Sequence, residues 1–328
     1  MSAVSYAPGG TATTKRGPLR GVVWLVTRQH RATILTVTAL TVLTAAWIIH
    51  ERGAMMDAFH SAGWPGKDIA ESDPDLVNSA QRRVSRTATI LSVLPIVLAV
   101  FIGAPLIAAD QEQGTAQLVT TQSVPRMRWL LHKLGLALVL SLVPTIILGA
   151  LFTWWWNDAR AVIYNDWLSG EVFDNTGPVL PALTVFTTVA AIAVGVLSRR
   201  VLVSMVVTFG FAIGTQVGWT LIRQRLGTSH LVSYPLDADG PAVLRDSVQL
   251  DNWVSTADGK LFGWGTCSDA AEDAHDACLA GKGIVNNTVE YIGFDQMQGM
   301  QWTGAGILFG LTVVGIGFIA YRASRRPL

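Results

Sequence analysis

The sequence predicts an all-α membrane protein. It has six transmembrane helices, a cytoplasmic N-terminal amphipathic helix, and a long extracytoplasmic loop between helices five and six. Half of the 328 residues are apolar and only 14% are charged, a balance outside the range of ordinary soluble domains. Six windows carry no Asp, Glu, Lys, Arg or His over roughly 17 residues or more, enough to cross ~30 Å of hydrocarbon as a helix. They are 32–49, 87–109, 134–156, 178–198, 201–222 and 302–321. None alternates polar with apolar residues, as a membrane strand of about 10 residues would.

Taken in order, residues 1–14 are mostly Ser, Thr, Ala and Gly without a pattern and are expected to be a disordered tail. Residues 15–31 differ: Leu19, Val22, Val23, Leu25 and Val26 fall on one helical arc, and Arg16, Arg20, Arg28 and Arg31 on the other. That spacing predicts an interfacial helix in the headgroup plane. The first apolar window outlasts a secretory signal core and has no small-x-small cleavage site after it, so it reads as a retained first helix. Residues 32–222 hold spans one to five. The connection 110–126 between spans two and three is dense in carboxylates, amides and bases. Residues 223–301 form a loop or small cap, and 302–328 the sixth span with a basic tail. Trp47, Trp154, Trp155, Trp156 and Trp302 stand where an outer aromatic belt is expected, and Trp24 and Trp129 at the inner one.

Lys and Arg decide the orientation. The loops on the N-terminal side hold 13 bases against 2 acids, and the opposite loops 11 against 21. Both termini are therefore expected in the cytoplasm. Arg82, Arg83 and Arg86, just outside the second span, run against the local rule.

The long outer loop is expected to carry a cap, with "LFGWG" and "VEYIGF" apolar enough to dip into the membrane surface. It also holds both cysteines, Cys267 and Cys278. With ten residues between them, they suit a disulfide in an oxidising compartment. Free thiols, or a zinc site with His275 and Asp276, remain open at this point. In the fifth span Gly210, Gly214 and Gly218 form an i, i+4 stripe that lets another helix approach closely, either within the chain or from a second subunit.

Several chemistries find no support. No phosphate-binding loop of the G-x-x-x-x-G-K-[ST] kind occurs, so ATP hydrolysis and its cofactors, ATP and Mg, are not expected in this chain. The spans lack the mid-membrane ionisable group of a proton-coupled carrier. Thr215 and Gln216 are their polar candidates, for a pathway or for interhelical hydrogen bonds. His50, Asp57, His60, His230, Asp237 and His275 are too dispersed to compose an acid–base site.

The connection itself carries a resemblance. Glu112, Gly114, Thr115, Leu118, Thr121, Ser123, Val124, Arg126, Arg128, Trp129, Leu130 and Lys133, preceded by "LP-x(7)-GAPL" from Leu94 to Leu106, resemble the cytoplasmic connection between helices two and three of bacterial ABC transporter permeases of the type-two exporter family. The resemblance implies a permease subunit of an ATP-driven exporter in the bacterial plasma membrane, paired with a second permease, surrounded by lipid, and docked to a separate cytoplasmic ABC ATPase. Nucleic acid is not among the expected partners. It makes Glu112, Gly114, Thr115, Leu118, Arg126 and Arg128 the coupling surface, and the first and fifth helices the subunit contact. Relatives often carry Arg-Glu where this chain has Ala109-Asp110, which moves or removes a charge there. The alternatives are a membrane sensor or immunity subunit that has kept the fold, and an enzyme of the membrane surface.

Overall fold

The structure is a computed structural model, and it describes residues 22–114, 126–163, 166–268 and 272–325. A short helix α1 (Val22–Gln29) leads through His30 into α2 (Arg31–Ala62), which stops at Gly63 in the left-handed region. After α3 (Ile69–Ser72) comes a long path of α4 (Pro74–Leu98), a π-turn (Ala99–Gly103) and α5 (Pro105–Glu112). Next are α6 (Arg126–Ala159), a single turn α7 (Gly170–Phe173), α8 (Val179–Ser198) and α9 (Val201–Arg223). Strands β1 (His230–Pro235), β2 (Val248–Thr256) and β3 (Leu261–Gly263) follow, then α10 (Glu272–Gly281), β4 (Ile284–Ile292) and the final helix α11 (Met297–Arg325).

Six of these elements are long and apolar enough to cross a membrane: α2, the α4–α5 path, α6, α8, α9 and α11. They coincide with the six windows of the sequence. Helix α8 is the hub, with 78% of its apolar window buried, against 11% for α2 and 17% for α9. Its sequence suits that place: no charge, many small or β-branched residues, and threonines whose hydroxyls are satisfied locally. Thr184 and Thr187 each donate to the carbonyl four residues back, at 2.8 Å, and Ser141 of α6 donates to Thr188 at 3.1 Å. Buried hydroxyls need such partners where water is absent.

The π-turn has a sequence cause. Pro95 and Pro105 each lack an N–H, leaving the Leu91 and Phe101 carbonyls without their helical donors, and Ala104 N–H closes instead on Ala99 O at 2.9 Å. Here the path presses on α8. A Cβ at Gly103 would stand 2.7 Å from both the Thr188 carbonyl oxygen and the Ala191 methyl. Gly103→Ala should therefore lower stability by about 1–3 kcal/mol through overpacking, read as a drop in the thermal unfolding midpoint of the detergent-solubilised chain.

The expectation of an all-α chain needs one correction. Between α9 and α11 the chain builds a four-stranded antiparallel sheet, ordered β1–β4–β2–β3. "VEYIGF" is largely a strand: Val289 to Ile292 lie in β4, with Val289 between Val232 of β1 and Asn252 of β2. "LFGWG" supplies β3 and then Trp264, which is exposed. Cys267 and Cys278 are disulfide-bonded, their Cα atoms 5.9 Å apart, across the edge of α10. At the root of the sheet, Thr228 and Gln296 exchange two hydrogen bonds, Thr228 N–H to Oε1 and Nε2–H to Thr228 O, both 2.9 Å.

The tryptophans also depart from the expected belts. Trp47, Trp154, Trp302 and Trp24 are exposed, but Trp129, Trp155 and Trp156 are buried. Three consecutive residues on a helix point 100° apart, so 154–156 cannot share one lipid-facing arc. Of the three arginines that run against the local charge rule, Arg83 pairs with Glu51 at 2.7 Å; next to Glu51 in sequence, Arg52 pairs with Asp158 at 2.6 Å.

Candidate functional site

The candidate site is the basic end of the bundle, where α5 stops and α6 begins. Gly114 ends the helical path with φ +70°, a backbone setting that a side chain resists, and α6 starts at Arg126, directly after Pro125. Thr115 and Leu118 fall on residues 115–125, outside the described residues. For Arg126 only the backbone is described, and Arg128 is exposed.

What the structure does show is how the base of this connection is held. Lys133 of α6 is almost fully buried, 1% exposed. Its ammonium donates to the Leu106 carbonyl at 2.9 Å and forms an ion pair with the Asp110 carboxylate, with Trp129 beneath it, 4.8 Å from ring centroid to Nζ. Gln29 of α1 reaches the other Asp110 oxygen at 3.4 Å. His30 sits beside the pair, and burial pushes its imidazole below the ordinary value, with the Lys133 charge adding to the effect. Two residues on, a Glu112 carboxylate oxygen accepts from Val201 N–H at 2.8 Å. Val201 is the first residue of α9, so the carboxylate satisfies one of that helix's free N-terminal donors and faces the positive end of its dipole. Ser204 adds a bond to the Ala104 carbonyl at 3.0 Å. The lower end of α5 is thus tied to α1, α6 and α9 at once.

The departure noted at Ala109-Asp110 finds its place here: Asp110 is a buried partner of Lys133. Sequence reading had singled out Lys133 as a motif position without its partner. The available signal was that Asp110 directly follows the second apolar window and Lys133 directly precedes the third, so that the one connection joins them.

At the opposite, capped end the 166–178 connection folds inward. Asn175 is fully buried, its Nδ2 near the Ala88 carbonyl at 3.1 Å and the Ser92 hydroxyl at 2.8 Å. Gln301 of α11 donates to Phe173 O at 3.0 Å and Thr176 Oγ1 at 2.8 Å. Asp174 accepts from Trp219 Nε1–H at 2.6 Å and from Arg223 at 2.9 Å. Burial raises the Asp174 carboxyl to about 6 against the pull of Arg223 and of the Trp219 hydrogen bond.

The remaining sequence candidates separate. Gln216 donates to the Ser92 carbonyl of α4 at 2.8 Å, an interhelical bond, while Thr215 bonds back to Phe211 O at 2.9 Å within its own helix. Gly210, Gly214 and Gly218 have nothing within 4 Å of where a Cβ would stand; among the described residues the stripe packs against nothing in its own chain. Three of the dispersed His and Asp candidates have partners of their own: His60 stacks on Trp64, His230 lies by Tyr291, and His275 Nδ1 is 3.1 Å from the Cys267 carbonyl. Among the described residues no three His, Cys, Asp or Glu side chains are placed to hold a metal.

A family model described as ABC-2 membrane transporter related matches residues 38–223, more than half of the chain. The match runs from α2 to the end of α9, so it includes the π-turn, the Lys133–Asp110 pair and the Glu112 cap, and leaves out the sheet and α11. No curated protein and no solved structure matches the chain.

Proposed function

We propose, from the premise that this chain belongs to the ABC-2 membrane transporter related family as a multi-pass membrane protein, that it is the permease subunit of an ATP-driven exporter. The basic end faces the cytoplasm and the sheet faces outward, as the Lys/Arg asymmetry favours. A separate cytoplasmic ABC ATPase docks on the 110–126 connection and supplies ATP and Mg, and the permease works as a pair. The single observation that carries this reading is the anchoring of α5 to α1, α6 and α9 just before the connection. A push delivered there reaches three helices together, which is what converting a partner's closure into helix movement requires. Support for pairing comes from α2 and α9, whose exposed apolar faces, including the open glycine stripe, meet no partner among the described residues.

In this reading Glu112 transmits the push to α9 through its N-terminal cap. Glu112→Ala should leave the ATPase bound and lower transport-coupled hydrolysis about tenfold, the effect of losing one charge-assisted hydrogen bond. The test is mild-detergent purification of the tagged chain from its native host, mass spectrometry of what co-elutes, and an ATPase assay of the eluate. Unchanged coupled hydrolysis in the variant would sink the role given to Glu112. An eluate free of any ATPase would overturn the exporter reading in favour of a sensor or immunity subunit that has kept the fold.

A further inference from the structure

Two cavities meet at the capped end, and they differ in chemistry. One, about 900 Å³, is a groove between α6 and α11, apolar along Leu142, Ile146, Ala150 and Phe309 and polar at Asn157 and Gln298. The other, about 610 Å³, is lined by Arg160, Asp166, Trp167, Arg245 and Asp246. Trp156 and Phe294 line both cavities, their ring centroids 5.9 Å apart.

The smaller cavity is rich in unused donors. Trp156 and Trp167 are each 4% exposed, and neither indole N–H has an acceptor among the described residues. A buried orphan donor costs about 1–3 kcal/mol, a cost that a ligand acceptor would remove. Arg160 lies over the Phe294 ring at 4.4 Å, and among the described residues neither Arg160 nor Arg245 is in an ion pair. Asp166 and Asp246 stand on the same lining, Asp166 already accepting from Leu168 N–H at 2.8 Å. Such a lining offers an anionic group cationic and neutral donors, and offers carboxylates to a neighbouring ammonium or hydroxyl.

We propose that the two cavities form one site for a phospholipid-type amphipath: its chain in the α6–α11 groove, its phosphate on the side of Arg160, Arg245 and the two indoles, and its amine or hydroxyl toward Asp166 and Asp246. The inference rests on the capped end lying at the outer membrane surface, and not on ATP coupling. Entry is lateral, since Ile146 and Ala150 are exposed on the surface that lipid would bathe. The donor inventory selects a phosphodiester over an uncharged head, because charge-assisted hydrogen bonds are about twice as strong as neutral ones.

The experiment is a native mass-spectrometric titration of the full chain in detergent, with dioleoyl phosphatidylethanolamine and with dioleoylglycerol, which has the same chains and no phosphate. The phospholipid should bind about tenfold more tightly. Arg160→Gln with Arg245→Gln should erase that preference, and Ala150→Trp should weaken both lipids by filling the groove. If the last variant fails to yield folded protein, Ile146→Trp serves in its place. Equal affinity of the two lipids for the unaltered chain would overturn the proposal, and so would a preference surviving the double arginine variant. Excess inorganic phosphate that displaces the phospholipid completely would reveal a plain anion pocket without a chain site, and overturn it too. ATPase co-purification stays the same in all these outcomes, so they are separable from failure of the exporter reading.

Discussion

Lys133→Met is expected to cost about 3–5 kcal/mol of stability, the penalty for leaving a buried carboxylate without its counter-charge. Asp110 is 6% exposed, and the ammonium that now neutralises it also satisfies the Leu106 carbonyl. Methionine fills a similar volume and offers neither a charge nor a donor. The detergent-solubilised variant should unfold at markedly lower temperature and elute partly as aggregate on size exclusion. Adding Asp110→Leu should recover most of the loss, since replacing both members of a buried pair by apolar groups is often neutral. If the single variant is as stable as the unaltered protein, the pair does not hold the base of the connection. Recovery of stability in the double variant without recovery of transport would separate the positioning role from the structural one.

The second large effect concerns pH at the capped end. Asp174 is raised from the ordinary 3.8 to about 6, chiefly by burial, so the folded chain holds a proton there more firmly than the unfolded chain. The native state binds more protons between these two values, and stability from this group therefore falls as pH rises. The contribution is complete below about pH 4 and lost above about pH 6, a swing on the order of 3 kcal/mol. Asp174→Asn cannot titrate, so the difference in stability between the unaltered chain and this variant should shrink as pH rises from 4 to 6 and stay flat above about 7. Arg223→Ala removes the guanidinium that opposes the shift, and should move the upper edge of the window to higher pH. A difference that does not change with pH over this range would show that Asp174 titrates normally.

What the sequence made legible was whatever local composition decides. Spans follow from runs without charge, and the end of α5 follows from Gly114, because a left-handed backbone position is written into a single residue. Lys133 meeting Asp110 was not legible, since that depends on the rotation of two helices about their axes and on the π-turn, which shifts every later side chain of α5 around the bundle. The sheet was missed for another reason. Its strands mix β-branched residues with Asn, Asp and Ser, as in "VQLDNWVST" and "IVNNTVEYI", and a sheet that is half solvated leaves a weak hydrophobic period. Glu112 was recognisable as important from its motif, but its partner, the first N–H of α9, is a backbone group and leaves no mark in composition.

The sheet is also a kinematic device. β1 leaves α9 after a few residues, β4 runs directly into α11, and the two strands pair over six residues from His230↔Tyr291 to Pro235↔Asn286, with the Thr228–Gln296 clasp below them. The far ends of the fifth and sixth spans are therefore lashed together, although no intramembrane bond between them was needed. Neither can tilt independently at that end without tearing a ladder of backbone hydrogen bonds. Under the exporter reading proposed above, the two spans would swing as a single two-legged lever, and a displacement of α9 begun at Glu112 would reappear in α11.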